Sequence, residues 1–197
     1  MQKVRLVGHR SVHVGRRIVC VRVEWTSVRL GHVEILINCA GIGDATPFTE
    51  LGVPEWDRMI AVHLRGTFLV TKAFYGAMIE RRYGRIINFA SQLAYKGAPL
   101  LAHYCAAKAG IIGFTRALSH EAAPHGVLVN AVAPGPVETE MLMHLPDEWR
   151  ATKRKQLPIG RFGSVEEITP TVLLLASDAG SYYVGQTLSP NGGDVML

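Results

Sequence analysis

Three short apolar runs constrain this chain more than any other feature. They fall within residues 33–38, 85–90 and 127–132, and each places apolar side chains at consecutive positions instead of alternate ones. A strand that is apolar on both sides must be covered on both faces. The segments between the runs are of helical length. After Pro54 the apolar spacing is near 3.6, through Trp56, Met59, Ile60 and Leu64, and it continues through Phe68, Leu69, Lys72, Ala73, Tyr75 and Met78. This alternation predicts an α/β fold, a doubly wound parallel sheet with helices on both faces.

Glycine and proline punctuate the pattern. Gly84 ends the helical run, and Gly97 and Pro99 lead into a long helix over 103–122. Pro134-Gly135-Pro136 closes the third strand. A polar stretch without clear period runs to Gly163, and Ser164 is a suitable N-cap for a helix over 165–176. Gln186-Thr187-Leu188 reads as a last short strand before Asn191-Gly192-Gly193. In parallel sheets of this type ligands bind beyond the carboxyl ends of the strands. Attention therefore goes to residues 38–41, 90–91 and 133–139, whose side chains can converge on one crevice.

Composition removes several classes of function. A chain of 197 residues, 48% hydrophobic, suits one globular domain. No apolar run is long enough for a transmembrane helix, and the basic amino terminus lacks the apolar core of a secretory signal. The three cysteines, Cys20, Cys39 and Cys105, are odd in number and widely spaced, which fits a reducing cytoplasm. Neither they nor the eight scattered histidines show metal-ligand spacing, so no metal is expected. The net charge of +5 is concentrated in residues 1–33, which hold seven basic side chains against Glu24 alone. The remaining chain is close to neutral and carries no nucleic-acid module, so no nucleic-acid partner is expected.

The chemistry lies at the strand ends. Tyr104 and Lys108 are four apart on the 103–122 helix and share a face, and Ser91 ends the preceding strand. A hydroxyl, a phenol and an ammonium in one crevice can move a proton at a carbonyl or carbinol. A free phenol titrates near ~10, and a neighbouring ammonium is expected to lower it. Taken alone, a Tyr-x-x-x-Lys pair also arises on solvated helix faces.

Other motifs stand in register with it. Asn38-Cys39-Ala40-Gly41 resembles the Asn-Asn-Ala-Gly turn of the short-chain dehydrogenase/reductase family. Ser91 and Tyr104-Cys105-Ala106-Ala107-Lys108 are similar to that family's catalytic set, and 130–139 resembles its Pro-Gly segment. Pro158 to Gly163, Gly185 to Leu188 and Asn191-Gly192-Gly193 resemble its closing segments. The resemblance covers residue 33 to the end, and its nearest subgroup is 3-oxoacyl-acyl-carrier-protein reductase-like.

The resemblance implies hydride transfer between NAD or NADP and a small-molecule carbonyl or alcohol. Tyr104 would be the general acid/base, Lys108 would lower its pKa and bind the nicotinamide ribose, and Ser91 would orient the carbonyl. Asn38, Ala40 and Gly41 would line the adenosine side, while Pro134, Gly135, Val137 and Thr139 would face the nicotinamide. Asn88 and Asn130 read as strand-end hydrogen bonders, and Trp56, Trp149 and Tyr183 as packing residues. Met141, Leu142, Met143, Leu145 and Trp149 suggest an apolar lid over the substrate. A homo-oligomer, dimer or tetramer, is implied through the two long central helices.

Two departures stand out. His63 occupies the place of an asparagine that holds a water of the family's proton relay; histidine can also donate and accept, so His63 either substitutes or packs. The second is the amino terminus. The family's Thr-Gly-x-x-x-Gly-x-Gly turn, whose amides receive the pyrophosphate, is absent from residues 1–32. Two outer strands and their helices do not fit in that length, since one βαβ unit takes roughly 30 residues. Residues 1–32 are read as an atypical basic leader, from a truncated, spliced or frameshifted product or as a degenerate functional leader. Residues 33–197 are read as one domain, the catalytic half. The alternative to an active enzyme is a cofactor-deficient fragment that retains an oligomerisation surface.

Overall fold

The computed structural model describes residues 32–196. The alternating valines Val19, Val21 and Val23 and the seven basic side chains of the leader lie outside them. Four parallel strands form one sheet in the order β1-β2-β3-β4: β1 (Ile35–Asn38), β2 (Gly84–Phe89), β3 (Val127–Val132) and β4 (Thr187–Leu188).

The apolar runs are double-sided, as expected. On one face Leu36, Ile86, Val127 and Val129 pack against Phe74 and Met78 of helix α2 (Gly66–Arg81) and Ala122 of helix α4 (Ala102–Ala122). Further along that face Ala131 meets Ile111 and Ile112 of α4. On the opposite face Ile87 and Val132 pack against Ile168, Leu175 and Ala176 of helix α7 (Val165–Ala176). Met78, Ile86, Val127 and Val129 are fully buried. Burying one such aliphatic side chain contributes about 1.5–3 kcal/mol, so the two faces supply most of the stabilisation.

The first helical run has a break that periodicity did not show. Helix α1 (Val53–Ile60) passes into a π turn, Ala61–Arg65, before α2 begins. One wide turn shifts the helical phase by about one residue, too little to disturb the apolar spacing. The turn holds His63, and Thr67 Oγ donates to the His63 carbonyl at 2.7 Å.

The polar stretch before Gly163 is more ordered than its composition suggested. It contains the short helix α5 (Glu140–Met143) and helix α6 (Asp147–Gln156). Helix α6 buries none of its residues, so apolar periodicity had nothing to report there. Helix α7 starts where Ser164 predicted. Ser164 and Glu167 form a capping box, in which the Ser164 N–H donates to the Glu167 carboxylate at 2.8 Å. Between α1–α2 and α4 lies the single turn α3 (Leu93–Lys96).

Candidate active site

The parallel register aligns the carboxyl ends of β1, β2 and β3, with Asn38 beside Asn88 and Asn88 beside Ala131. The side chains of Asn38 and Asn88 fix this alignment. Asn38 Nδ2 donates to Asn88 Oδ1 at 2.8 Å and to Thr71 Oγ1 at 2.9 Å, and Asn88 Nδ2 donates to Thr115 Oγ1 at 2.9 Å. Strands β1 and β2 are thereby tied to α2 and α4. Both Asn38 amide hydrogens are thereby taken up within the fold. Asn130 does similar work at β3: it donates to the Tyr183 carbonyl at 2.8 Å and accepts from the Gln186 N–H at 2.8 Å.

Ser91 lies just beyond β2 and is buried; its Oγ accepts from the Leu93 N–H at 3.1 Å. Tyr104 and Lys108 sit one turn apart in the first half of α4, and the Lys108 ammonium is 5.7 Å from the Tyr104 ring centroid. Lys108 Nζ donates to the Phe89 carbonyl at 2.8 Å. Burial is the main cause that brings its pKa down to about 8, with Cys39 pulling the other way.

The expectation for Tyr104 is reversed in sign. Its phenol is raised above the ordinary value of 10.0 because burial disfavours the phenolate, with a hydrogen bond to Ser91 pulling the other way. Lys108 stands off the ring and already donates to Phe89, so it does not outweigh desolvation.

His63 completes the cluster. Its ring is edge-on to Tyr104, 5.3 Å between centroids at 84°. Its Nε2 lies 2.8 Å from the Ile42 carbonyl and 3.2 Å from the Ile42 N–H, so it donates to the first in one tautomer and accepts from the second in the other. Nδ1 is buried and has no partner among the described residues. Burial, with the charge of Lys108 added, lowers its pKa to about 4. A Cβ on Gly41 would stand 2.7 Å from His63 Cε1, so the 38–41 turn and the π turn approach as closely as glycine permits.

The remaining candidates are placed as follows. Ala40 and Gly41 are exposed at the end of β1. Pro134 accepts from the Gln92 N–H at 3.1 Å, next to the Ser91 loop. Gly135 runs against Asn191, where a Cβ would stand 2.6 Å from the Asn191 Cα. Val137 forms a bridge with Gly163 and packs on the α7 face. Thr139 is exposed at the start of α5. Of the apolar lid residues only Leu142 is buried; Met141, Met143, Leu145 and Trp149 are exposed. Trp56 is also exposed, whereas Tyr183 packs as read.

Sequence reading missed His103, which is fully buried beside Tyr104 with neither ring nitrogen partnered among the described residues. It also missed a cluster around Asp194 that joins Gln92, Lys96 and Lys153. No local pattern marks partners 41 to 102 residues apart. Among the described residues no group of three or more potential ligands could hold a metal ion, and no helix is long and apolar enough to cross a membrane.

A family model described as enoyl-(acyl carrier protein) reductase matches residues 21–194. The chain belongs to the short-chain dehydrogenase/reductase family. It is 44% identical over 161 residues to a 3-oxoacyl-[acyl-carrier-protein] reductase of Aquifex aeolicus, covering 82% of this chain and 65% of that protein. To the protein of the same description from Escherichia coli it is 41% identical over 175 residues, covering 89% and 72%. A solved structure, gluconate 5-dehydrogenase of Burkholderia cenocepacia in complex with NADP and tartrate, superposes with a TM-score of 0.85 at 33% identity, covering 87% of this chain and 68% of that one. The chain thus spans about two thirds of the length of these family members.

Proposed function

We propose that this chain carries the catalytic half of an NAD(P)-dependent oxidoreductase that moves hydride between a nicotinamide cofactor and a small-molecule carbonyl or alcohol, with a 3-oxoacyl thioester as the first substrate to try. The observation that carries the reading is the Ser91–Tyr104–Lys108 cluster at the strand ends, walled by His63. Support for the substrate class comes from the similarity to the acyl-carrier-protein reductases, and support for a nicotinamide cofactor from the similarity to the NADP complex.

The donor set fits the nicotinamide half of such a cofactor. Among the described residues the Lys108 ammonium makes one hydrogen bond, to the Phe89 carbonyl, and its two further N–H donors suit a ribose diol. Pro134, Gly135, Val137 and Thr139, on the segment leaving β3, would border the nicotinamide, and the exposed Ala40-Gly41 backbone would border the adenosine side, with Asn38 fixing that strand end. When bound, the cofactor supplies or takes the hydride.

Every other part belongs to the chain. Ser91 Oγ would hold the substrate oxygen. Tyr104 would give its phenolic proton to that oxygen as charge develops on it. The Tyr104 phenol is protonated at neutral pH, the form that donates in carbonyl reduction. Neutral His63 would keep a second charge away from Lys108 and Tyr104. We further propose a homo-oligomer, because Phe68 and Leu69 of α2 stay about 40% exposed, with Phe68 edge-on to Phe114 of α4.

The test is calorimetry of NADPH and NADH on the purified chain, followed by turnover of a 3-oxoacyl thioester by wild type and Tyr104→Phe. Turnover that survives Tyr104→Phe overturns the assignment. Well-folded protein that binds neither cofactor supports the fragment reading.

A further inference from the structure

Asp194 lies in the C-terminal segment, and its side chain is only 6% exposed. Its Oδ1 accepts from Lys96 Nζ at 2.8 Å and from Lys153 Nζ at 2.7 Å, and its Oδ2 accepts from Gln92 Nε2. These partners come from separate places. Gln92 follows Ser91, Lys96 ends α3, and Lys153 is in α6. Burying a carboxylate costs several kcal/mol unless it is paired, and here two ammonium groups and an amide pair it.

The carrier of this carboxylate is itself held. Asn191 Oδ1 accepts from the Gly193 N–H at 2.9 Å, and Asn191 Nδ2 donates to Ser189 Oγ at 2.9 Å and to the Val195 carbonyl at 2.8 Å. The Ile159 N–H donates to the Gly192 carbonyl at 3.2 Å, which seats the turn on the segment after α6. Asp194 is therefore a fixed post and not a mobile side chain.

What it holds is the segment across the strand ends. Helix α5 leaves the end of β3 and reaches the end of β1, where a Cβ on Gly43 would stand 2.9 Å from Met141 Sδ. Helix α6 follows, and with no buried residue it has no core of its own. Its other side-chain ties are Arg150 with Met143 Sδ at 3.3 Å, Arg154 with Glu138 at 3.9 Å and Arg154 over the Phe162 ring at 4.8 Å, and just past its end Leu157 is buried with Leu142 and Phe162. Among the described residues the Lys153–Asp194 pair is its one ion pair to the body with both side chains largely buried.

We propose that Asp194 is a positioning residue that clamps α6 to the Ser91 loop and so sets how firmly the α5–α6 segment closes over bound substrate. The consequence for substrate rests on the function proposed above, whereas the clamp itself does not. Releasing it loosens α6 first, because the core on both faces of the sheet does not pass through Asp194.

The experiment is hydrogen exchange by mass spectrometry on the full chain, wild type against Asp194→Asn, with Lys153→Gln as a second variant. In Asp194→Asn, amides of 147–156 are expected to exchange roughly tenfold faster or more, since elements with little buried contact open locally. Amides of β2, β3 and α4 are expected to be unchanged. Lys153→Gln should loosen α6 alone, leaving the 91–96 loop as in wild type. In turnover, Asp194→Asn should raise KM roughly tenfold with kcat within about twofold, the signature of lost uniform binding. Unchanged exchange over 147–156 in both variants overturns the clamp, and so does a rise spread evenly over core and α6. Failure of the proposed activity is separate, because it appears as absent turnover in wild type while the exchange difference stands.

Discussion

The His63 ring meets the Tyr104 ring edge-on, and its Nε2 lies against the Ile42 backbone, 2.8 Å from the carbonyl. The contact couples the acid-sensitivity of the fold to the candidate site. His63 titrates at about 4 in the folded chain, below its ordinary 6.5. Between those values the unfolded chain binds a proton that the folded chain refuses, so stability is lost as pH falls from 6.5 toward 4. The full difference is about 3 kcal/mol. His63→Asn removes this titration, so its urea midpoint should fall less than that of wild type between pH 7 and pH 4.5. Parallel curves for the two proteins would show that His63 is not the group.

Lys108 is expected to oppose stability near neutrality. Its folded pKa is about 8 against an ordinary 10.5, so its buried charge weighs against folding throughout the range below 8 and is relieved only as pH rises through 8 toward 10.5. Lys108→Met should raise the denaturation midpoint at pH 7, by about 1–2 kcal/mol, because an apolar side chain replaces a buried ammonium. The same variant should lose carbonyl reduction. A lower midpoint would mean that the bond to the Phe89 carbonyl outweighs the desolvation of the charge.

The sign for Lys108 and Tyr104 was beyond the sequence, although their pairing was not. Spacing on the 103–122 helix placed them together, and the apolar runs placed that helix on the sheet. Burial decides both pKa directions, and burial depends on what packs around the pair, including His63 from a segment some forty residues earlier. Helix α7 was legible because Ser164, Glu167 and an apolar face agree. Helix α6 was not, because polar ties hold it in place of an apolar stripe. The Asp194 cluster was illegible for a related reason: its members share no period and meet only through the fold.

Tyr104→Phe isolates one oxygen. The ring packs on His63 through its edge, and that contact needs no hydroxyl. The variant loses only the hydrogen bond to Ser91, so it should unfold within about 1.5 kcal/mol of wild type, the scale of one such bond. Turnover should fall by at least about a hundredfold, the usual contribution of a positioned acid. Denaturation and steady-state rates on the same preparation check both halves.

The last expectation concerns the grip on the cofactor. A pyrophosphate is bound by backbone amides that converge at a glycine turn and a helix N-terminus. The described residues offer groups for the nicotinamide half, and residues 1–31 carry no Thr-Gly-x-x-x-Gly-x-Gly pattern. Arg10, Arg16 and Arg17 bring positive charge, but long flexible cations give neither the close approach nor the fixed geometry of amides. Loss of several charge-assisted hydrogen bonds, each contributing about 1.5–3 kcal/mol, weakens binding by orders of magnitude. NADPH and NADH are thus expected to bind the 197-residue chain only in the high micromolar range or weaker, with slow turnover or none. Attaching a first half with the glycine turn and three strand-helix units ahead of Val33 should restore both. Low-micromolar affinity in the unmodified chain, read by calorimetry, would instead mean that residues 1–31 build a phosphate site of another design, and arginine substitutions at 10, 16 and 17 would then locate it.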